Sequence, residues 1–470
     1  MFQIMASLAA VVILSMFVWL YNSVVATPRR LRRLLREQGI GGPPPANFLL
    51  GNVLEIKKLT RAPKTTAEDP HNFAAQLQTI FHKWRRQFGD MYTFTLGTTP
   101  VLVVFDYDVI KELTSSKSID LGRPLYLSKD LGSLLGKGVS AANGKLWEYE
   151  RKLMAPGVNM NKIQGMKNSI QQSAIKLIDS WKILIDEEGG KVDIKADTHL
   201  LKFSGDAILR VCFGSNYVEG EQILEKFQDI VQVSANKGFF FAIPGMRYVP
   251  TKQNRREWKL RKDIKHLISK ILIKKHEAHN EENMLKFILE GAKNSNLRPN
   301  EIEDFIIDNC KSILSAGYET LSVAASWLLM LLASNREWQD RVREEVLGVC
   351  KGQVPDFDSI RHLKQLTMVI YESLRLYTGA HIGSRYAIND LEFANIRIPK
   401  GVIIWTMTTT LHTDPNIWGP DSYKFKPERF ANGISGACKL PHLFTPFGYG
   451  TRICFSHLEN QNIIFYGTGE

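Results

Sequence analysis

The run FGYGTRIC, from Phe447 to Cys454, holds the residue types of a metal–thiolate site. A cysteine that ligates a metal must be deprotonated and kept from water. Gly448 and Gly450 allow the backbone to curl tightly, so that amide N–H groups face one sulfur. Arg452 is placed to hold an anionic group on the same face through charge-assisted hydrogen bonds. Phe447 can cover the loop. A cysteine alone is more often a small apolar filler, so the choice rests on the residues that accompany it.

Three further groupings have the spacing of a site. Trp147 and Arg151, in WEYER, lie i,i+4 on one helix face; on its own such a pair is more often a surface stack. Glu372 and Arg375, in ESLR, lie i,i+3, a spacing otherwise common in solvated ion pairs. SAGYETLS puts Gly317, Glu319 and Thr320 inside an apolar helical run. A mid-helix glycine costs about 1 kcal/mol against alanine and marks close approach by a neighbour; the plain reading is a packing notch. Other chemistries fail on spacing. The histidines of HEAH at 276–279 are three apart, and no GxSxG is present. GSLLGKG at 132–138 departs from a phosphate loop in glycine spacing and in the residue after Lys137.

FxxGxRxC, WxxxR, AGx(D/E)T, ExxR and PERF, in this order, resemble the cytochrome P450 superfamily, the haem-thiolate monooxygenases. The resemblance implies haem b with Cys454 as the metal ligand, and Arg452, Trp147, Arg151 and Arg385 around its propionates. Phe447 would close the loop. Ala316 and Gly317 would make room for dioxygen, with Glu319 and Thr320 passing protons. Glu372, Arg375 and Arg429 would form a structural lock. The implied reaction inserts one oxygen atom from O2 into a C–H bond of a hydrophobic substrate, with NADPH-derived electrons from a membrane-bound NADPH–cytochrome reductase. The acid–threonine pair argues against a haem-thiolate isomerase.

The stretch from Trp405 to Gly448, together with GPPPANFLLGN, resembles plant members that oxidise gibberellins and related diterpenoids or triterpenoids. Specificity would then lie in loops near 110–140, 233–252 and 378–384. A gibberellin-type acid needs a polar contact in an apolar pocket; His381 is a candidate, or an ordinary loop histidine.

Three places depart from the pattern: Ser456 replaces a glycine, Tyr377–Gly379 replace a proline turn, and Leu321 follows Thr320. The segment SHLENQNIIFYGTGE differs from the expected helix and terminal strands. The expectation is a truncated haem domain. Its alternative is a non-catalytic, weakly haem-binding remnant.

The elements that must position these residues follow from periodicity and punctuation. The 470 residues are 44% hydrophobic and 23% charged, a globular composition. Ile4–Ala26 carries no charge and exceeds the roughly 20 residues a membrane helix needs. Arg29, Arg30, Arg32, Arg33 and Arg36 follow it, which puts the body on the cytosolic side; the long run and uncharged start weigh against a signal peptide. By resemblance the membrane is that of the endoplasmic reticulum. Pro43–Pro45 form a stiff spacer. Residues 1–27 read as anchor, 28–47 as basic, proline-rich hinge and 48–470 as the haem domain. Scattered cysteines without a CxxC pair fit a reducing compartment. The +12 charge suits anionic lipid or an acidic protein partner; no nucleic-acid-binding motif accompanies it.

The predicted class is mainly α with small β sheets. Helices are expected at 70–88, 144–155, 162–185, 199–213, 221–237, 254–279, 300–333, 335–350 and 360–377. Strands are expected at 91–97, 99–106, 383–387, 391–398 and 402–405. An irregular meander follows over 413–450. The long helix is expected to start at an Asn300 cap with Glu303 reaching back.

Overall fold

Pro299–Ser334 forms one unbroken helix, the central helix, which other elements pack around. Its buried residues recur at helical spacing: Ile307, Cys310, Leu314, Tyr318, Ala325, Leu328 and Leu331. It begins before the expected Asn300 cap. Pro299 takes the first helical position, where its fixed φ favours a helix and its missing N–H costs nothing. Glu301, not Glu303, reaches back and accepts the Arg298 N–H at 3.1 Å. Glu303 instead accepts the Ser269 hydroxyl at 2.7 Å. The computed structural model describes residues 2–60, 71–72, 79–129, 132–158, 160–214, 218–237, 245–275, 283–295 and 297–455. The HEAH run, Ser456 with the rest of the terminal segment, and parts of the loops at 110–140 and 233–252 lie outside it.

The helix Ala196–Phe213 lies closest against the central helix, and glycines on both sides explain why. A Cβ on Gly317 would sit 2.5 Å from Ile208 Cδ1, and one on Gly205 would sit 3.1 Å from the Tyr318 ring. Ser204 Oγ donates to the Tyr318 carbonyl at 2.6 Å across the same contact.

A five-stranded sheet has the order β1 (Met91–Leu96), β2 (Thr99–Val104), β7 (Ile403–Thr406), β4 (Gly383–Ala387), β3 (Leu121–Gly122). β1 and β2 form the expected hairpin. β7 joins β2 in parallel, with Val101 opposite Ile403, so an early and a late segment of the chain meet in one sheet. The single strand expected over 391–398 is a hairpin, β5 (Leu391–Phe393) and β6 (Ile396–Ile398). Its turn residues Ala394 and Asn395 both have positive φ, the geometry of a two-residue hairpin turn, and the alanine hid the signal.

Most expected helices stand within a few residues: Gly144–Met154, Met160–Glu187, Val218–Lys237, Lys252–Lys275 and Arg336–Cys350. The one expected at 360–377 divides into Phe357–Arg361, capped by Asp356, and Lys364–Leu376. Several short helices escaped sequence reading, among them Val53–Thr60, Tyr107–Ser115 and Met284–Lys293. Asp106 and Asn283 cap the last two through side-chain oxygens.

The apolar N-terminal helix Phe2–Tyr21 continues through a π turn into Thr27–Arg36. Leu14 and Trp19 are 63% and 67% exposed. The expected hinge is therefore helical to Arg36, and its apolar face docks: Leu31 and Leu35 are buried, and Arg32 donates to the Pro43 carbonyl at 2.6 Å.

Candidate functional site

Residues after Thr445 turn back on themselves to present Cys454. Gly448 and Gly450 adopt φ of +78° and +63°, a region where side chains are strained. A Cβ on Gly450 would lie 3.0 Å from the Ser116 carbonyl, so the close approach also requires glycine. The Cys454 N–H donates to Phe447 O at 2.9 Å and closes the loop. Phe447 packs against the core, as a loop cover must. Cys212, Cys310 and Cys350 are buried fillers, whereas Cys454 is exposed. An exposed cysteine on a closed, glycine-built loop is not there to fill space.

Buried and half-buried arginines surround this loop. Arg452 donates to Ala142 O and Asn143 Oδ1, both at 2.9 Å, and its guanidinium lies 4.2 Å from the Trp147 ring centre. Arg385 donates to Tyr449 O at 2.7 Å and lies over the Tyr449 ring. Arg151 stacks at 4.0 Å on Phe455, the residue after the cysteine. Arg123 completes the group. Its backbone brackets the Asn143 amide, donating to Oδ1 at 2.7 Å and accepting from Nδ2 at 2.9 Å. Burial, then the Arg385 charge, pushes Arg123 down to about 10. Burial and repulsion from Arg123, Arg385 and Arg151 push Arg452 down to about 9, and Glu150 is the carboxyl that opposes this. Arg452 Nε is buried with no hydrogen-bond partner among the described residues. Crowded, desolvated cations with an orphaned donor require an anion.

The Glu372–Arg375 pair is no solvated bridge. Both residues are fully buried, bonded through two N–H···O contacts of 2.7 and 2.8 Å. Arg375 also donates to the carbonyls of His412, Ser422 and Lys424, and Glu372 Oε1 accepts the Lys426 N–H. Arg429 lies 3.6 Å from the same carboxylate and pairs with Asp421. His412, not singled out from sequence, accepts the Thr445 N–H at 2.9 Å and so fixes the entry to the cysteine loop. Burial and the Arg375 charge push it down to about 3, so it is neutral.

On the central helix Ala316, Glu319 and Thr320 are exposed, and Thr320 Oγ1 donates to Ala316 O at 2.6 Å. Gly317 differs: its bare face meets Ile208, the packing notch of the plain reading. Glu319 lines a cleft of about 610 Å³ with Tyr318, Leu201, Gln228 and Gln232. His381 is half-buried, and Nδ1 shares a hydrogen bond with the Thr409 hydroxyl at 3.2 Å. The glycine run at 132–138 is no phosphate loop either, because Asp308 Oδ2 already accepts the Lys137 N–H.

The family model described as Cytochrome P450 matches residues 43–455. The chain belongs to the cytochrome P450 family. It is 43% identical to Cytochrome P450 714C2 of Oryza sativa subsp. japonica, over 93% of this chain and 86% of the relative. It is 36% identical to Cytochrome P450 714B3 of Zea mays, over 96% and 86% of the two chains. Cytochrome P450 714A2 of Arabidopsis thaliana is 36% identical, over 92% and 85%. This P450 is accordingly a monooxygenase, an oxidoreductase whose family uses haem b, O2 and NADPH-derived electrons.

The residues of this P450 fit that cofactor. Haem offers two carboxylates, and Arg123, Arg151, Arg385 and Arg452 make no salt bridge among the described residues, with Glu150 the carboxyl whose charge reaches Arg452. Arg123 is the member that sequence reading missed. Its only local signal is an arginine between Gly122 and Pro124, while the groups it faces lie hundreds of residues away.

Proposed function

We propose that this P450 is a membrane-anchored haem-thiolate monooxygenase that inserts one oxygen atom into a hydrophobic plant terpenoid, a gibberellin or related diterpenoid. The observation that carries the reading is the convergence of Arg123, Arg151, Arg385 and Arg452 on the loop of an exposed Cys454. Bound haem would supply oxygen activation and electron storage. Cys454 would hold the iron through its thiolate. The four arginines would hold the propionates, with Trp147 packed on Arg452 to keep its plane fixed. The buried Glu372–Arg375–Arg429 lock would hold the meander, and through it the cysteine loop, at one depth.

Thr320 would hold a proton at Oγ1, and Glu319 would deliver it from the solvent cleft it lines. Residues 1–27 would anchor the chain in the endoplasmic reticulum, 28–47 would set the attitude of the body, and 48–470 would be the haem domain. Exposed Arg29, Arg30, Arg33 and Arg36 would hold the body on the cytosolic side, where a membrane-bound NADPH–cytochrome reductase supplies electrons. His381 would contact the acid group of the substrate. The terpenoid assignment is supported by the resemblance carried by Trp405–Gly448.

The test is turnover by the full chain in membranes with a plant reductase and NADPH. Diterpenoid acids should perturb the haem spectrum and yield products heavier by one oxygen atom. Turnover of simple fatty acids in preference to diterpenoids would overturn the substrate assignment.

A further inference from the structure

Glu150 occupies an unusual place between the arginine group and the central helix. It lies on the Gly144–Met154 helix and is 2% exposed. Its Oε1 accepts the Asn309 amide at 3.1 Å, and its Oε2 is buried with no hydrogen-bond partner among the described residues. Asn309 in turn accepts the Val139 N–H at 3.1 Å. Neighbouring central-helix residues grip the same loop. Asp308 accepts from Lys137 N, and Ser312 Oγ donates to Leu135 O at 3.1 Å. Gly136 and Gly138 permit the contact, since a Cβ on either would clash with Asp308. The loop's far end, Ala142 and Asn143, receives both Arg452 hydrogen bonds. One polar chain thus runs from the central helix through residues 135–143 to Arg452, with Glu150 beside it.

We propose that Glu150 is a positioning residue whose charge sets how firmly Arg452 holds an anion at the cysteine site. This inference rests on the haem reading above. Neutral Glu150 accepts from Asn309, keeps the loop in register and leaves Arg452 to the anion. Ionised Glu150 competes for Arg452 and places a negative charge beside an anion site. The facing groups are Asp308 and Asn309 on the central helix, with Lys311 paired to Asp308, and Arg452 on the cysteine loop. Burial pushes the carboxyl up to about 8 and the Asp308 charge adds to this, while Asn309 donation and the Arg452 charge oppose it.

The experiment uses the full chain in detergent, as wild type, Glu150→Gln and Glu150→Ala. Haem loss to apomyoglobin is timed from pH 6.5 to 9.5, and thermal unfolding is followed over the same range. Wild type should lose haem several-fold faster at high pH. Glu150→Gln should match wild type at pH 6.5 and lose the pH dependence. Glu150→Ala should lose haem faster throughout, since the Asn309 amide keeps the Phe305 carbonyl but loses its second acceptor and with it the tie to the Gly144–Met154 helix. Identical pH profiles for wild type and Glu150→Gln would overturn the proposal. A chain that takes up no haem defeats the haem reading itself. Unfolding then decides whether Glu150 is charge-coupled: wild type alone should soften between pH 6.5 and 8, and equal slopes would overturn that claim.

Discussion

Arg123 shows what one residue contributes here. Its charge repels Arg385 and Arg452 across a desolvated site, so the folded chain without haem bears that repulsion. Arg123→Ala should leave haem-free stability unchanged or raised, yet quicken haem loss several-fold. Unfolding of the haem-free protein and haem transfer measure the two halves; a variant that loosens neither haem nor the repulsion would contradict the assignment. Two buried titrating groups also shape stability. Glu150 is raised from 4.5 to about 8, so the folded chain binds the extra proton and stability falls as pH rises between those values. His412 is lowered from 6.5 to about 3, so the unfolded chain binds the extra proton and stability falls as pH drops through that window. Each slope approaches about 1.4 kcal/mol per pH unit, and they oppose between 4.5 and 6.5. These two groups predict a stability plateau there, with losses on both sides. Glu150→Gln should flatten the fall above pH 6.5 and unmask the His412 slope between 4.5 and 6.5 in an unfolding series. At this scale, residues with fixed local spacing were legible: Trp147 with Arg151, Glu372 with Arg375. Arg123, Glu150 and His412 were not, because the charges and amides that define them arrive from distant segments.

Elements were legible where an apolar period was long. The central helix could be read because its buried positions repeat over the whole run, but its start could not, since Pro299 outranked the polar pair Asn300 and Glu303. The β5–β6 turn was hidden because alanine rarely takes positive φ. Gly317 is the element-scale case with a sharp test. Its notch admits Ile208, so Gly317→Val should overpack the contact and cost about 1–3 kcal/mol, more than its gain in helix propensity. Adding Ile208→Ala should recover part of the loss in thermal unfolding. A valine tolerated without loss would show that the bare face of Gly317 serves something other than the helix contact.

Across the whole molecule, the lock at Glu372 joins the Lys364–Leu376 helix to the meander that leads into the cysteine loop. Glu372→Leu should cost about 3–5 kcal/mol, because it strands a buried guanidinium; Glu372→Leu with Arg375→Leu should cost less. Denaturant unfolding of the single and double variants separates the two; an equal or greater loss in the double would contradict the stranded-charge explanation. Motif order suggests the candidate site, while the sheet that joins β2 to β7 explains how segments about three hundred residues apart come together in the fold. That parallel pairing left no mark in the sequence, since neither strand names its partner.

The most direct measurement is the carbon monoxide difference spectrum of reduced membranes carrying the full chain, beside Cys454→Ala. The expected result is the band of a thiolate-ligated haem in the wild type and its loss in the variant. A wild type without that band, or a variant that keeps it, would contradict Cys454 as the ligand that organises this site.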